Sequence, residues 1–192
     1  MRTWTGSLLA ALIAGSFAFA VPQQADAFGR VGADFMWVPV ASEDVHVDQN
    51  SAQLGATHRL GSFGASLHAN LGFKEFSAGL KLNYFNEGLE LESSGNNVRR
   101  DQFDINGHLR WGIFETGLGL GVEGGASLST DYENVGYNVG LSFEYAIVNW
   151  PIAQLNIGIM GQFVTMSPQV DQPLEGNQSV KGILYIGTDI GP

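Results

Sequence analysis

Between Phe63 and Tyr84 the chain reads FGASLHANLGF, then Lys74-Glu75, then FSAGLKLNY. In the first run every second residue is apolar, and the residues between them are small or polar. The second run repeats this period around Leu80 and Leu82. A period of two is typical of β-strands, whose side chains alternate between two faces. Two such runs joined by two residues predict an antiparallel hairpin.

The same alternation extends along the chain from Phe28 onward, and no segment shows an apolar stripe at helical spacing. We therefore predict an all-β protein of ten antiparallel strands. Eight strands are the alternative, because the segment 88–93 carries only Leu89 and Leu91 on its apolar face. The predicted strands cover 30–37, 51–60, 63–73, 76–84, 88–93, 103–113, 116–126, 135–147, 153–163 and 180–190.

Composition excludes several classes of function. The chain has no cysteine, which rules out a disulfide framework, a thiolate metal site and cysteine catalysis. A formal charge of -10 argues against a nucleic-acid partner, whose phosphates would need cationic contacts. We find no Gly-x-Ser-x-Gly, His-Glu-x-x-His, phosphate-loop or dinucleotide-binding motif, and we predict no cofactor.

The first residues have the three parts of a secretory signal peptide. Arg2 precedes the apolar run LLAALIAGSFAFAV, which is followed by Ala25-Asp26-Ala27. The alternative is a membrane-spanning helix, but this run would extend only about 21 Å, against about 30 Å for the bilayer core. We therefore predict a signal peptide over residues 1–27, cleaved after Ala27, and a single β-domain over 28–192.

The connections between predicted strands alternate between short and long. The short ones are Gly61-Ser62, Phe85-Asn86-Glu87-Gly88, Phe114-Glu115 and Asn149-Trp150-Pro151, and the long ones are 39–50, 94–101, 127–134 and 165–178. In transmembrane β-barrels short turns face the periplasm and long loops face outside. The pattern predicts an up-and-down barrel with both chain ends in the periplasm, although Lys74-Glu75 is short where a long connection is expected.

Alternation alone does not distinguish a transmembrane barrel from a soluble one with an apolar interior. Glycines follow one another on the less apolar face of 116–126, where a soluble exterior would carry Lys and Glu. Aromatic residues also fall at strand ends, as two interfacial belts would require. We place Trp37, Phe73, Phe76, Phe103, Tyr137 and Phe163 at the long-loop ends, and Phe63, Tyr84, Trp111, Tyr145 and Trp150 near the short-turn ends.

A signal peptide followed by strands such as FDINGHLRWGI (103–113) and YNVGLSFEYAI (137–147) resembles the small bacterial outer-membrane β-barrel proteins, the class that includes the outer-membrane protein A and X barrels. The resemblance is one of pattern and indicates no subfamily. It implies a place in the outer membrane of a Gram-negative bacterium. Such chains commonly end in an aromatic residue that the barrel-assembly machinery reads. Here Tyr185 or Ile190 substitutes for that residue, or assembly follows another route.

The polar face of the predicted strands carries charges of both signs, which a narrow lumen would force into pairs. We place Asp34, His68, Lys81 and His108 near mid-height, and Arg30, Arg110, Glu144 and Asp189 toward the periplasmic end. The full predicted lumen network is Arg30, Asp34, His68, Lys81, Asp104, His108, Arg110, Glu123, Glu144 and Asp189, with Glu90, Glu92 and Lys181 on the same face.

A second candidate site lies in the predicted loop 39–50. If this loop is extended, Asp44, His46 and Asp48 share one side and could hold a divalent ion or activate a water. Acid and His groups at a barrel rim loosely resemble the outer-membrane proteases. The alternative is that this acidic loop is only solvated.

These features predict a non-enzymatic outer-membrane barrel with a structural or surface-interaction role and a lumen largely plugged by charged pairs. A narrow porin-like channel for small solutes is the second hypothesis. An outer-membrane hydrolase that uses the rim acids and His46 is the third. The predicted partners are outer-membrane lipid, lipopolysaccharide and the barrel-assembly machinery.

Overall fold

The computed structural model describes residues 27–47, 54–58, 62–73, 75–91, 97–113, 116–129, 132–150, 152–166 and 174–191. They form the antiparallel strands β1 (Ala27–Val47), β2 (Leu54–His58), β3 (Ser62–Phe73), β4 (Phe76–Leu91), β5 (Asn97–Ile113), β6 (Leu118–Ser129), β7 (Tyr132–Trp150), β8 (Ala153–Met166) and β9 (Leu174–Ile190). Within these ranges no helix is long and apolar enough to cross a membrane.

The strands close into a barrel with eight positions. From β3 onward each strand pairs with the next, and β1 pairs with both β3 and β9. The short β2 pairs with β1 and β4, which are also the neighbours of β3, so β2 and β3 share one position. Pairing followed once around the barrel from Val31 returns to β1 at Ser42. This stagger is what tilted strands need in order to close.

The prediction of ten strands is wrong, and the alternative of eight is correct. The predicted strand 76–84 and residues 88–91 of the predicted strand 88–93 are one continuous strand, β4, in which Phe85 pairs with Gln102 and Glu87 with Arg100. Residues 54–58 of the predicted strand 51–60 form β2, which shares a single position with β3, the predicted strand 63–73. The residues at 85–88 have the composition of a turn, but the ladder to β5 continues through them because cross-strand pairing outweighs local preference.

The two ends of the barrel differ in their connections. At one end, which we call the terminal end, lie the start of β1, the end of β9 and the strand ends on either side of 74–75, 114–117 and 151–152. The opposite end, called the loop end, receives the links after β1, β4, β6 and β8. Lys74-Glu75 therefore fits the alternation once β2 and β3 count as one position. The predicted long connections are shorter than expected, since β6 reaches Ser129 and β7 begins at Tyr132.

Apolar side chains cover the outer face of the barrel. Leu67 is 44% exposed, Leu120 41% and Leu141 68%, whereas a soluble barrel would hold these leucines inside. On the same strands the alternate residues are buried, as in the pattern of β3, where Ser62, Gly64 and Ser66 face inward. The oily side of the pleat therefore faces outward, and the soluble alternative is wrong.

Aromatic residues mark two levels on this outer face. The rings of Phe76 and Trp111 stack with centroids 5.9 Å apart near the terminal end, and those of Tyr84 and Phe103 lie 5.0 Å apart near the loop end. Phe76 and Tyr84 are about eight residues apart on β4, which at about 3.3 Å per residue and a tilt of about 40° separates the levels by about 20 Å. This spacing is close to the height of an apolar transmembrane band.

The predicted aromatic girdle lies on the outer face, but four residues were assigned to the wrong end. Phe73 and Phe76 flank the link 74–75 at the terminal end, and Phe63 and Tyr84 lie toward the loop end. The error follows from the strand count, since an extra strand before Phe63 inverts the direction of β3 and β4. The exposed girdle residues are Trp37, Phe73, Phe76, Phe103, Trp111, Tyr145 and Trp150.

A charge placed midway between the aromatic levels tests whether this face meets lipid. Leu80 is 66% exposed and pairs with Ala69 and Gly107. We expect Leu80→Arg to lower the free energy of unfolding in phospholipid vesicles by about 2–4 kcal/mol, because arginine at the bilayer midplane is destabilising. Urea titration in vesicles measures this change, and Leu80→Phe is the apolar control. Equal stability of the two variants would contradict lipid contact at this position.

Candidate functional site: the barrel lumen

The structure places the ten predicted network residues on the inner face of the barrel. Within the barrel Asp104 is 1% exposed, Asp189 3% and Glu123 4%. Charged groups this deeply buried need partners, because an unpaired buried charge costs several kcal/mol. The lumen meets this requirement through a chain of contacts that runs from the terminal end to the loop end.

The terminal part of the chain centres on Asp189 and Glu144. Arg110 contacts Glu144 Oε1 through its Nε and lies 3.4 Å from Asp189 Oδ2 through its Nη1. Tyr185 donates its hydroxyl hydrogen to Glu144 Oε2 at 3.2 Å. His68 Nε2 lies 2.5 Å from Asp189 Oδ1. Two carboxylates are thus held by one guanidinium, one phenol and one imidazole.

The next contacts run through Lys81 at mid-height. Its Nζ lies 3.4 Å from Asp34 Oδ2 and 3.2 Å from Glu123 Oε2. Asp34 also accepts a hydrogen bond of 2.5 Å from Ser66, and His68 Nδ1 lies 3.6 Å from its Oδ2. Lys81 therefore bridges two carboxylates from different strands, and His68 links this group to Asp189.

A layer of amide side chains continues the chain above Glu123. Asn106 donates to Glu123 Oε1 at 2.9 Å and accepts from Asn138 at 2.9 Å. Gln162 donates to Asp104 Oδ2 at 2.8 Å. Amides suit this position because each carries both donors and acceptors and can pass the network on without adding charge.

A second ionic cluster lies at the loop end, and sequence reasoning missed most of it. Arg100 donates to Glu87 Oε2 at 2.6 Å, and Lys181 contacts Glu87 Oε1 and donates to Gln102 Oε1 at 2.7 Å. Of the residues in this cluster, only Lys181 was predicted on the inner face. Glu87 and Arg100 were assigned to connections, and no local signal identifies them, because the alternation of apolar and polar residues breaks at Phe85 and Asn86.

An apolar wall lines the lumen mainly on β1, β8 and β9, and Phe85 of β4 adds to it. Its buried members are apolar side chains on the inner face of the strands, which otherwise carries polar residues. They are Met36, Val38, Ala41, Phe85, Met160, Ile183 and Tyr185. Lys181 Nζ lies 5.0 Å from the centroid of the Phe85 ring, so this wall also covers the cation of the loop-end cluster.

Little open space remains between these side chains. A cavity of about 20 Å³ lies near mid-height, lined by Asp34, His68, Lys81, His108, Arg110, Tyr185 and their neighbours. A cavity of this size holds about one water molecule. At this height the surrounding side chains leave only this space between them.

Inward glycines make room for the charged groups. A Cβ on Gly187 or Gly32 would overlap the Asp34 carboxylate or the His68 ring, and one on Gly119 would lie 2.7 Å from Glu144 Oε1. Each large side chain thus lies over a glycine of a neighbouring strand. The high glycine content follows from the narrow lumen, which cannot hold a large side chain at every inward position.

The remaining predicted site residues are placed less completely. Asp44 and His46 lie in the last residues of β1, and Asp48 falls outside the described residues. Glu90 lies in β4, and Glu92 falls outside the described residues. Among the residues that the structure describes, no three His, Asp or Glu side chains form a group that could hold a metal ion.

The glycine arrangement predicts that one added methyl group has opposite effects on the two faces. A Cβ on the inward Gly79 would overlap the carbonyl oxygen of Ala69, whereas one on the outward Gly161 would meet nothing within 4 Å. We expect Gly79→Ala to destabilise the barrel by about 1–3 kcal/mol, as overpacking does. Gly161→Ala should leave stability unchanged or slightly higher. Urea unfolding in vesicles compares the two, and equal stability would contradict the packing described above.

Comparison with known proteins supports the fold. No protein-family model and no curated protein matches the sequence. Among solved structures, the chain is similar to Neisserial surface protein A, with a TM-score of 0.52 and 12% identity over 84% of this chain and 96% of that one. OprG, an outer-membrane protein of Pseudomonas aeruginosa, has a TM-score of 0.48 and 13% identity over 88% of this chain and 97% of that one. The Escherichia coli outer-membrane protease OmpT gives 0.34 and 10% identity over 91% and 100%.

Only the first of these TM-scores exceeds 0.5, and its identity is low, so the comparison concerns the fold alone. The chain shares with that protein an all-β barrel over nearly the whole length of both chains. Together with the apolar outer face and the closed, staggered sheet, this gives the chain the fold of the small outer-membrane β-barrel proteins, in an eight-stranded form.

Proposed function

We propose that this protein is a closed β-barrel of the bacterial outer membrane with a structural or surface-interaction role and no catalytic activity. The barrel carries its connecting loops to the cell exterior and keeps its lumen plugged. The observation that supports this proposal is the chain of buried ion pairs across the lumen, in which Lys81 and Arg110 border a cavity of about 20 Å³.

The outer face supports a place in the membrane. Large apolar side chains such as Leu80, Leu109 and Ile159 are 66%, 58% and 56% exposed. A continuous apolar band of this kind is stable only against acyl chains, because in water it would drive association. Closure of the sheet supports the same conclusion, since lipid offers no partner for unpaired backbone groups.

The lumen supports a plugged barrel over a channel. Two ionic clusters, one around Arg110 and Glu144 and one around Lys181 and Glu87, lie in series along the axis. An ion passing through would have to separate both clusters and the amide layer between them. Separating buried charges without replacement partners costs several kcal/mol for each group.

The barrel ends support an orientation. Both described chain ends and the strand ends on either side of 74–75, 114–117 and 151–152 lie at the terminal end. In outer-membrane barrels this is the periplasmic end, so the loop end meets the cell exterior. Surface interaction is then a property of the connections after β1, β4, β6 and β8.

The last strand supports recognition by the assembly machinery through Ile190. Ile190 lies on the outer face and is 59% exposed, whereas Tyr185 is 8% exposed and points into the lumen. A hydrophobic side chain on the outer face of the final strand is accessible before the barrel closes. Of the two residues, Ile190 therefore fits this role.

The proposed location predicts a characteristic behaviour on gels. We expect the protein in bacterial cells to fractionate with outer membranes and to change its gel mobility when boiled, because a folded barrel resists detergent until it is heated. Cell fractionation with boiled and unboiled samples measures both properties. A polypeptide that stays in the soluble fraction without detergent would overturn the proposed location.

The proposed plug predicts how conductance depends on the two ionic clusters. We expect the native protein in planar bilayers to give no stable open steps, and Arg110→Ala or Lys181→Ala alone to change little, because the second cluster remains. The double variant should give discrete, cation-selective steps, since unpaired carboxylates then line a wider lumen.

Glu75→Gln, at an exposed turn of the terminal end, is the matched control for a change of charge outside the lumen. Stable open steps in the native protein would contradict the closed lumen. A double variant that folds but stays silent would show that these clusters are not the plug.

A further inference from the structure

One basic side chain faces outward at the loop end of the barrel. Arg99, on β5, is exposed on the outer face, whereas the neighbouring Arg100 is 3% exposed inside the lumen. Lys81, Arg110 and Lys181 also face inward. Among the described residues, Arg99 is therefore the cation that the barrel presents to its surroundings near the exterior side of the membrane.

Neighbouring polar side chains hold the Arg99 guanidinium in place. Arg99 Nη1 donates to Asn86 Oδ1 at 2.7 Å, and Asn86 Nδ2 donates to Asp101 Oδ1 at 2.8 Å. The Tyr84 hydroxyl donates to the same oxygen of Asp101 at 2.8 Å. Asn86 accepts from one terminal nitrogen, and a guanidinium has five N–H donors, so the fixed group can offer others to a phosphate.

The surface below Arg99 changes abruptly from polar to apolar. The rings of Tyr84 and Phe103 lie directly beneath the polar side chains, and Ile105 follows on β5 at 53% exposure. The order from guanidinium to aromatic pair to aliphatic side chain matches the order from headgroup to interface to acyl chain in a lipid leaflet.

A shallow strip continues this surface toward mid-height. Below Phe103 and Ile105, Gly107 on β5 lies opposite Gly124 on β6. A Cβ on Gly107 would meet only the Gly124 carbonyl oxygen, at 3.9 Å. The strip between β5 and β6 is therefore lower than its surroundings and can accommodate a chain that runs down from the headgroup level.

We propose that Arg99, held by Asn86, binds the phosphate of a phosphorylated outer-leaflet lipid whose acyl chain lies along the strip from Phe103 to Gly107. This inference rests on the orientation in the proposed function, which puts the loop end at the exterior. The ligand chemistry is that of a phosphorylated glycolipid such as lipid A. The phosphate of the headgroup forms an ionic contact with Arg99, and the acyl chain packs against the apolar strip.

The test compares lipid binding with and without phosphate. The full barrel is folded in a neutral detergent, titrated with lipid A or with its dephosphorylated form, and the bound fraction is measured by native mass spectrometry. The native protein should prefer the phosphorylated lipid. Arg99→Gln should lower its apparent affinity about fivefold, and Arg99→Lys should retain most of it. Glu75→Gln is the charge control at the terminal end.

Three results would overturn the proposal. They are equal binding of both lipids by the native protein, an unchanged preference in Arg99→Gln, and displacement of lipid A by an equal concentration of inorganic phosphate. Heat-dependent gel mobility is recorded for each sample. If the native protein shows no such mobility change, the proposed function itself is overturned. If the barrel is folded but shows no lipid preference, only the Arg99 site is overturned.

Discussion

Backbone hydrogen bonding governs this structure, because inside a lipid layer every N–H and C=O group must find its partner within the protein. The pairing of β9 with β1 satisfies the last two edges. With eight positions the closed sheet is narrow, and its interior admits side chains only if they interleave. The inward glycines and the paired charges are both consequences of that narrow interior.

The lumen also illustrates that buried ion pairs do not by themselves make a fold stable. The desolvation of Lys81, Asp34 and Glu123 offsets much of their mutual attraction, and well-packed apolar groups of the same volume would be about as stable. What the network does provide is mutual dependence. Glu123 binds Lys81 as well as two amides, so removal of one partner leaves the others buried and unsatisfied.

The sequence predicted the two faces better than it predicted the strands. Alternation alone assigned residues such as Asp34, Lys81 and Asp189 to the interior, since a period of two fixes the face regardless of where a strand ends. Strand ends depend on pairing with distant segments. Local composition predicts a turn at Phe85 and Glu87, although their partners Gln102 and Arg100 extend the ladder past them. The error in strand number then reversed the levels of Phe73 and Phe76.

The apolar wall that includes Met36, Met160 and Ile183 makes the lining of the lumen more apolar on one side than on the other. Four of the six buried carboxylates in the described part of the chain, those of Glu87, Asp104, Glu123 and Glu144, belong to β4 through β7, while these apolar residues lie on β1, β8 and β9, beside the seam where the first and last strands meet. Water therefore leaves the apolar part of the seam readily as these strands approach, because removing apolar surface from water is favourable. The apolar part of the interior lining therefore favours closure of the seam.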